Sequence, residues 1–231
     1  MRNDIPTAVV TGSSRGLGLA LTSELSRRGW RIVADARDGG RLEDTIGDLP
    51  NVTRIAGDIA DPAHRRQIAE AVGEGVDLVV NNASVLGPSP QPRLADYPLD
   101  VLEHVYAVNT IAPLALIQAL LPALRARRGR IIDISSDAAV EPYEGWGGYG
   151  SSKAALDQLT AILGAEEPGI RVYACDPGDM NTDLHQQAFP GEDISDRPAP
   201  ETVVPALLRL VEGDLPSGRY RAADLGAEVP A

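Results

Sequence analysis

The chain has 231 residues, 43% of them hydrophobic and 23% charged, which is typical of a globular protein and excludes a disordered one. Its net charge of −12 argues against binding to nucleic acid or to an anionic membrane. The single cysteine, Cys175, excludes an intramolecular disulfide, and the first residues lack the apolar run of a secretion signal, so we expect a cytoplasmic protein.

Short β-rich runs alternate with helical patterns along the chain. The predicted strands cover Thr7–Thr11, Arg31–Ala36, Val52–Ala56, Val76–Asn81, Arg130–Ser135, Ile170–Cys175 and Arg219–Ala222, and the predicted helices cover Leu17–Arg28, Pro62–Val72, Leu99–Arg127, Ser151–Leu163 and Glu201–Val211. This alternation predicts one α/β domain over residues 1–231, with a doubly wound parallel sheet of about seven strands and helices on both faces. The longest apolar stretch, Ile111–Leu124, is too short to span a bilayer.

The first predicted strand runs directly into a glycine-rich loop, Thr11-Gly-Ser-Ser-Arg-Gly-Leu-Gly18, and a helical pattern follows. A strand, a glycine turn and a helix N-terminus form an anion site, because backbone N–H groups and the positive helix end face a pyrophosphate. The spacing G-x-x-x-G-x-G differs from the common dinucleotide fingerprint and from a P-loop. A purely structural turn is the alternative explanation of the glycines.

The only lysine in the chain, Lys153, lies four residues after Tyr149. On a helix the two side chains share a face. Reduction of a carbonyl by hydride needs a proton donor, and oxidation of an alcohol needs a base. A nearby ammonium favours the phenolate, so we expect it to lower the pKa of the tyrosine from about 10. The alternative is an ordinary pair of surface neighbours, since this spacing is common by chance.

Several motifs occur together, in order, over residues 7 to about 182. They are the loop Thr11–Gly18, Asn81-Asn82-Ala83, Asn109, Ser136, Tyr149-x-x-x-Lys153 and Pro177-Gly178. In this set the chain resembles the short-chain dehydrogenases/reductases, which implies a Rossmann fold and a nicotinamide-dependent oxidoreductase. Ser84 stands where the family usually has glycine, and we expect it to crowd the backbone near the adenosine side. No motif follows Thr182.

The resemblance implies a role for each residue of the catalytic group. Tyr149 is the general acid and base, Lys153 is its electrostatic partner and a ligand of the nicotinamide ribose, and Ser136 holds the substrate oxygen. Asn109 holds a water that links the lysine to solvent. Ser135 is the competing candidate for holding the substrate oxygen. As an alternative to a catalytic role, either serine caps the following loop. The alternative for Asn109 is a buried side-chain amide whose hydrogen bonds are satisfied within the protein.

The resemblance also implies a set of cofactor-binding residues: Gly12, Ser13, Ser14, Arg15, Gly16, Leu17, Gly18, Arg37, Asp58, Ile59, Asn82, Ala83, Tyr149, Lys153, Pro177, Gly178 and Thr182. In NAD enzymes an acid ending the second strand binds the ribose. Here Ala36 holds that position and Arg37 follows, which, together with Arg15, favours the 2′-phosphate of NADP(H). NAD(H) is the alternative, because a one-residue shift would aim Asp35 at the ribose. The alternative to any role in cofactor binding is that Arg37 and Asp35 are solvated charges in a loop.

The segment after the last motif is predicted to cover the substrate. Residues 184–200 form the expected lid, with Gly191–Glu201 as a mobile loop. Met180, Leu184 and Phe189, with Trp146 across the cleft, are candidates for an apolar wall, and core packing is the alternative for each. The histidines, His64, His104 and His185, lack metal-ligand spacing, so we expect solvated positions for them and no metal site.

These features predict hydride transfer between NADP(H), or NAD(H), and a small carbonyl or alcohol substrate. Two other functions stay open: a redox-inactive nucleotide-binding regulator of the same fold, and an epimerase or dehydratase that uses a bound cofactor. We expect no nucleic-acid or membrane partner. The resemblance further implies a homodimer or homotetramer, packed through the helices that carry Asn109 and Lys153.

Overall fold

The computed structural model describes residues 5–226, and its centre is a seven-stranded sheet in the order β3-β2-β1-β4-β5-β6-β7. The strands are β1 Thr7–Val10, β2 Arg31–Ala36, β3 Val52–Ala56, β4 Leu78–Asn81, β5 Arg130–Ile134, β6 Arg171–Asp176 and β7 Gly218–Arg221. Every neighbouring pair is parallel. The predicted doubly wound parallel sheet is therefore confirmed.

Helices connect the strands and cover both faces of the sheet. They are α1 Gly16–Arg27, α2 Gly39–Ile46, α3 Pro62–Val72, α4 Leu99–Tyr106, α5 Ala112–Arg127, α6 Gly147–Glu166, α7 Asp183–Ala188, α8 Val204–Glu212 and α9 Ala222–Gly226. The sequence did not predict α2, α7 or α9. In α2 the glycines at positions 39 and 40 lower the helix propensity, so the sequence pattern does not indicate a helix. Asp38 is its N-cap and accepts a hydrogen bond from the backbone N–H of Arg41.

Two apolar layers lie on either side of the sheet, because successive side chains of a strand point to opposite faces. On β1, Ala8 and Val10 pack into the layer that contains the buried faces of α1 and α8. Val9 packs into the other layer, with α3 and α5. Burial on both faces explains why central strands such as β1 and β4 are apolar almost throughout.

The predicted helix Leu99–Arg127 is continuous but not uniform. A π-helical turn, Ala107–Ile111, separates α4 from α5, and Asn109 lies within this turn. Pro113 lacks the N–H that would bond to the carbonyl of Asn109 in a regular α-helix, and π turns are frequent at functional sites. By length and composition alone this helix could cross a membrane. However, 56% of its most apolar 18-residue segment is buried in the fold, as in a core helix.

The helix α6 begins at Gly147, four residues before the predicted start at Ser151. Three glycines in its first turn lower the intrinsic helix propensity, which is why the pattern pointed to a later start. One of them is required by close packing, since a Cβ on Gly150 would lie 2.5 Å from the carbonyl oxygen of Ala138. Tyr149 and Lys153 therefore lie in the first two turns of α6.

Candidate active site

A cavity of about 620 Å³ lies at the carboxyl ends of the strands. The strand order reverses at β1, which lies between β2 and β4, and open α/β sheets bind ligands at such a point. Most of the predicted site residues line this cavity: Gly12, Ser14, Arg15, Gly16, Leu17, Arg37, Asp58, Ile59, Asn82, Ala83, Ser136, Tyr149, Lys153, Pro177, Gly178 and Thr182. Ser13, Gly18 and Asn109 are not among the residues that line it.

The glycine loop follows β1 and leads into α1 at the edge of this cavity. Gly12 and Gly16 have φ angles of +70° and +53°, in the left-handed region that favours glycine. A Cβ on Gly18 would lie 2.3 Å from the carbonyl oxygen of Gly12, so the helix start packs directly against the loop. The N-cap residue Arg15 makes no side-chain capping bond, which keeps the first-turn backbone N–H groups available for an anionic ligand.

Two polar side chains hold the loop from behind. The hydroxyl of Ser13 is fully buried, donates to the carbonyl of Val10 at 2.8 Å and accepts from the hydroxyl of Thr22 at 3.0 Å. The side-chain amide of Asn82 donates to the carbonyls of Thr11 and Gly12 at 2.9 and 3.3 Å. Ser13 is thus a structural member of the loop, and Asn82 both supports the loop and lines the cavity.

Tyr149, Lys153 and Ser136 meet at the other end of the cavity. Lys153 is 2% exposed, and its Nζ donates to the carbonyl oxygen of Ile134 at 2.7 Å and lies 5.6 Å from the centroid of the Tyr149 ring. The Ser136 hydroxyl follows β5, donates to Asp137 and accepts from the backbone N–H of residue 138. The serine therefore caps the following turn and lines the cavity as well.

Burial dominates the ionisation of this pair. It raises the pKa of Tyr149 above its ordinary value, while interactions with the hydroxyls of Ser84 and Ser136 lower it. This direction is opposite to the one expected from the lysine alone, because excluding water from the phenolate outweighs the nearby charge. Burial also lowers the pKa of Lys153 to about 8, and the charges of Asp133 and Asp157 raise it.

Asn109 is buried and uses all four hydrogen bonds of its side-chain amide. Its Oδ1 accepts from the backbone N–H of Val85 at 2.9 Å and from the hydroxyl of Ser84 at 3.1 Å. Its Nδ2 donates to the carbonyl of Val85 at 2.9 Å and to Ser152 at 3.0 Å. A water held by Asn109 would therefore have to bond its backbone. Ser84, expected near the adenosine side, lies instead between Asn109 and Tyr149.

A buried carboxylate that the sequence analysis did not single out lies beneath the lysine. Asp133 on β5 accepts hydrogen bonds of 2.7 Å from the amide of Asn81 and from the hydroxyl of Thr160. Burial raises its pKa to about 6, and these bonds and the charge of Lys153 lower it. An acid within the apolar run Ile131–Ile134 was the available signal, since buried acids are rare unless they are paired.

At the opposite end, beside the glycine loop, Asp35 is 2% exposed, so its interpretation as a solvated charge is wrong. Its carboxylate accepts from the backbone N–H of Gly12 and from Nε2 of His64, each at 3.0 Å. Ala36 pairs with Ala56 without a register shift, which leaves Ala36 and the exposed Arg37 at the end of β2. Asp35 is thus held by the loop and by α3.

Arginines dominate this end of the cavity. Arg15, Arg37 and Arg41 all line it. The carboxylate of Asp183, the first residue of α7, accepts from Nη1 of Arg15 at 2.8 Å and from Nη1 of Arg41 at 3.1 Å. The guanidinium groups lower the pKa of Asp183. Neither Arg41 nor Asp183 was predicted, because α2 and α7 were not.

The segment after β6 closes the cavity on the side facing the glycine loop. Asp176 accepts from the backbone N–H of Gly178 at 3.0 Å, and Thr182 caps α7 by accepting from the backbone N–H of His185 at 3.2 Å. Within the predicted lid, residues 184–200, Leu184 and Ala188 line the cavity. Of the four expected apolar wall residues, Met180, Leu184 and Trp146 line the cavity and Phe189 does not.

Two of the three histidines are buried, so the expectation of solvated positions is wrong for His64 and His185 and right only for His104. His64 shares the inner face of α3 with the buried Ile68 and Val72, at the spacing of one helical face. His185 packs its ring against Phe189, with centroids 4.9 Å apart. Within residues 5–226 no group of three or more His, Cys, Asp or Glu side chains is arranged to hold a metal.

Comparison with known proteins gives consistent matches. The family model described as short chain dehydrogenase matches residues 6–193. Sepiapterin reductase from Meriones unguiculatus is 36% identical over 200 residues, which cover 78% of this chain and 76% of that protein. The crystal structure of the KRED1-Pglu enzyme has a TM-score of 0.84 at 31% identity and covers 93% of this chain and 99% of its own. A short chain dehydrogenase from Shigella flexneri complexed with NADP has a TM-score of 0.84 at 26% identity, with 94% and 97% covered.

Proposed function

This chain belongs to the short-chain dehydrogenase/reductase family of oxidoreductases, and we propose that it transfers a hydride between NADP(H) and a carbonyl or alcohol substrate, with Tyr149 as general acid and base. One observation carries this proposal: Tyr149, Lys153 and Ser136 line the same cavity as the glycine loop. A nucleotide on the loop and a substrate beside the tyrosine therefore share one enclosed space. A bound nicotinamide supplies or accepts the hydride.

The residues around the loop fit a dinucleotide. The left-handed glycines let the backbone approach a pyrophosphate closely, and the uncapped first turn of α1 offers it N–H donors. Asp58 and Ile59 line the part of the cavity near β2 and β3, where an adenine ring would lie. Pro177, Gly178 and Thr182 line the wall toward the substrate end and would hold the nicotinamide side.

In carbonyl reduction the chain's own residues move the proton. Ser136 holds the substrate oxygen while the Tyr149 hydroxyl gives its proton to that oxygen as the new C–H bond forms. The ammonium of Lys153 then stabilises the phenolate until solvent returns a proton to it. In alcohol oxidation the same groups act in reverse, with the phenolate as the base. Asn109 keeps this end of the cavity in place by joining the end of β4 to α6.

NADP(H) is favoured over NAD(H) by the charges at the end of β2. Arg15, Arg37 and Arg41 line this part of the cavity, and a guanidinium pairs with a phosphate in two-pronged geometry. The only acid of β2, Asp35, is committed to the glycine loop and to His64. The similar Shigella flexneri protein was solved with NADP.

The wider setting of the enzyme is also a proposal. We treat residues 1–231 as one nucleotide-binding domain with a lid at 184–200 that acts in the cytoplasm on a small molecule, without a nucleic-acid or membrane partner. Ile111 at the start of α5 and Ile162 in α6 are 58% and 44% exposed, so these two helices offer an apolar face for a homodimer or homotetramer. Sedimentation of the wild type and of an Ile111→Glu, Ile162→Glu variant tests this, and a monomeric wild type contradicts it.

The decisive test of activity uses the full chain, a panel of ketones and aldehydes, and both NADPH and NADH. We expect NADPH oxidation with some of these carbonyls and a loss of at least about 100-fold in kcat for Tyr149→Phe, which removes the hydroxyl that carries the transferable proton. The matched control is Tyr220→Phe, a tyrosine whose hydroxyl bonds the carbonyl of Pro216 at the other end of β7. Full activity of Tyr149→Phe would contradict the mechanism, and a preference for NADH would contradict the cofactor assignment.

A further inference from the structure

The cavity carries negative charge at its substrate end. Asp137, Asp176 and Asp179 all line it on the side of Tyr149. The charges of Asp176 and Asp137 act on the tyrosine strongly enough to raise its pKa, after the larger effect of burial. The arginines that line the cavity, in contrast, belong to the glycine loop and to the residues that follow β2.

The cations near Asp176 and Asp179 are shared with other acids. Nε of Arg219 binds Asp157 at 2.8 Å, and its Nη2 is 3.7 Å from Asp176. Arg197 likewise binds Asp196 at 2.7 Å and lies 3.8 Å from Asp179.

Asp137 accepts hydrogen bonds only from neutral groups: the hydroxyls of Tyr143 and Ser136 and the backbone N–H of residue 138. Among the ion pairs of residues 5–226, none involves Asp137. The carboxylates at this end, Asp137, Asp157, Asp176, Asp179 and Asp196, outnumber the cations Lys153, Arg197, Arg219 and Arg221, so an excess of negative charge remains and favours cationic ligands.

His185 lines the same end, and its ring is buried with an unused nitrogen. The residue is 8% exposed, and its Nε2 has no hydrogen-bond partner among the described residues. Its Nδ1 lies 3.8 Å from Oδ1 of Asp179, an arrangement that favours the proton on Nδ1. Nε2 is then a buried acceptor that none of the described residues satisfies, and a donor on a ligand would satisfy it.

A row of aromatic rings joins the reacting hydroxyl to this histidine. The centroids of Tyr149 and Trp146 are 5.9 Å apart, those of Trp146 and Phe189 are 6.0 Å apart, and those of Phe189 and His185 are 4.9 Å apart. Trp146, Tyr149 and His185 line the cavity and can contact the hydrocarbon body of a substrate, while Phe189 supports them from behind. Aromatic faces also attract ammonium groups, especially beside carboxylates.

We propose that this end of the cavity recognises a protonated amine, so that the substrates are amino ketones and the corresponding amino alcohols. The ammonium group lies near Asp179 and donates to Nε2 of His185, while the carbonyl carbon lies at Tyr149. The amine takes no part in the reaction, which adds a hydride to the carbonyl carbon and a proton to its oxygen. The inference rests on the proposed function and identifies the substrate class of that site.

The test compares ketones that differ only in the charge of the remote group. Two sets of three ketones are used, one set aromatic and one straight-chain. Within each set, a trio, the remote group is an aminomethyl, a hydroxymethyl or a carboxyl group. Initial rates of NADPH oxidation give kcat/KM for each ketone at low salt. We expect the aminomethyl ketone to exceed the carboxyl ketone by at least about tenfold, mainly through KM, and the ratio to fall in 0.5 M NaCl.

Two variants assign this preference to the proposed residues. Asp179→Asn and His185→Phe are each expected to reduce the ratio of kcat/KM for the aminomethyl ketone over the carboxyl ketone by at least about threefold. The matched control is Asp214→Asn, which removes an equivalent charge that is 88% exposed and precedes the amino end of β7, whereas the cavity lies at the carboxyl ends of the strands. It should leave the ratio unchanged.

Each outcome is informative. Equal rates within a trio, or a preference that survives both variants, overturn the amine proposal while leaving hydride transfer intact. Turnover of other carbonyls but of no member of either trio also overturns it. Failure to oxidise NADPH or NADH with any carbonyl contradicts the proposed function itself.

Discussion

The hydroxyl of Ser84 donates a hydrogen bond of 3.1 Å to Oδ1 of Asn109, and Ser84 also interacts with Tyr149 in a way that lowers the pKa of the phenol. The residue that departs from the family pattern therefore lies between the helix that carries Asn109 and the helix that carries Tyr149. It adds a polar contact to the proposed catalytic group at a position where glycine has none.

Replacement of this hydroxyl should slow alcohol oxidation. The hydroxyl of Ser84 lowers the pKa of Tyr149 by turning its single proton from Asn109 to the phenolate when that forms. Both Ser84→Ala and Ser84→Gly should therefore raise that pKa and leave less phenolate at a given pH. We expect kcat/KM for oxidation at pH 8 to fall about 2- to 10-fold, the effect of one hydrogen bond, and the profile to move to higher pH. A pH series from 6 to 10 measures this. If only the glycine variant differs from wild type, backbone crowding rather than the hydroxyl is responsible.

Removal of the carboxylate beneath the lysine should shift the alkaline side of the activity profile. The charge of Asp133 raises the pKa of Lys153, so Asp133→Asn should lower that pKa further below about 8. Less of the lysine is then protonated at neutral pH, and we expect the rate of carbonyl reduction at pH 7.5 to fall roughly 3- to 10-fold, with activity lost at a lower pH than in wild type. An unchanged profile would show that Asp133 does not act on the lysine.

The same variant should remain folded, because an asparagine at 133 can accept from Asn81 and donate to Thr160, whose hydroxyl already donates to Leu156 at 2.8 Å. Burial raises the folded-state pKa of Asp133 from 3.8 to about 6, so its ionisation costs stability as the pH rises through that interval. Urea unfolding of Asp133→Asn should therefore lack this decrease between pH 4 and pH 6. A decrease equal to that of wild type would contradict the assignment.

Cofactor choice should depend on the exposed arginine after β2. We expect Arg37→Ala to raise KM for NADPH about tenfold or more and to change KM for NADH less than about threefold, because only NADPH carries the 2′-phosphate. Arg66→Ala, which removes an exposed arginine from α3, is the matched control. Equal effects of Arg37→Ala on both nucleotides would show that Arg37 does not discriminate between them.

Stability should depend on Asp35. Its replacement by alanine leaves the N–H of Gly12 and the ring N–H of His64 buried without their acceptor, and we expect a loss of about 2–4 kcal/mol in the free energy of unfolding. Asp35→Asn keeps one acceptor and should lose less. Asp38→Ala, at the exposed N-cap of α2, is a graded control with an expected loss of about 1 kcal/mol. Urea titrations at one protein concentration compare the three, and an Asp35→Ala value no larger than that control would contradict the buried role.

The strands of the sheet could be predicted because their residue composition distinguishes them from helices and loops. β2 and β3 have the predicted bounds. In β2 burial of five successive residues favours small and apolar side chains, and in the half-buried edge strand β3 the β-branched residues Val52, Thr53 and Ile55 indicate the strand. Short helices were not predictable in the same way. In α7 six residues give less than two turns of periodicity, and in α2 the glycines at its start oppose the pattern.

The residues of the site likewise fall into those that the sequence predicts and those that it does not. Tyr149, Lys153 and Ser136 are close in the fold as their motifs implied, because each follows or faces the end of a predictable strand. Asp35 and His185 are different: an acid or a histidine is usually solvated, and only contacts from distant parts of the chain bury these two. Asp35 depends on α3, 29 residues away, and His185 depends on a helix that the sequence did not predict.

The carboxylate of Asp183 gives the cofactor end of the cavity an anion of its own. Each arginine uses one nitrogen, Nη1, for Asp183, so on the proposed assignment a 2′-phosphate would share Arg15 and Arg41 with this carboxylate and weaken its ion pairs. NADH carries no 2′-phosphate to compete for these arginines, so the ion pairs of Asp183 with Arg15 and Arg41 would remain. On the proposed assignment of NADP(H), nucleotide binding would thus couple the cofactor end of the cavity to α7, the start of the segment proposed to cover the substrate.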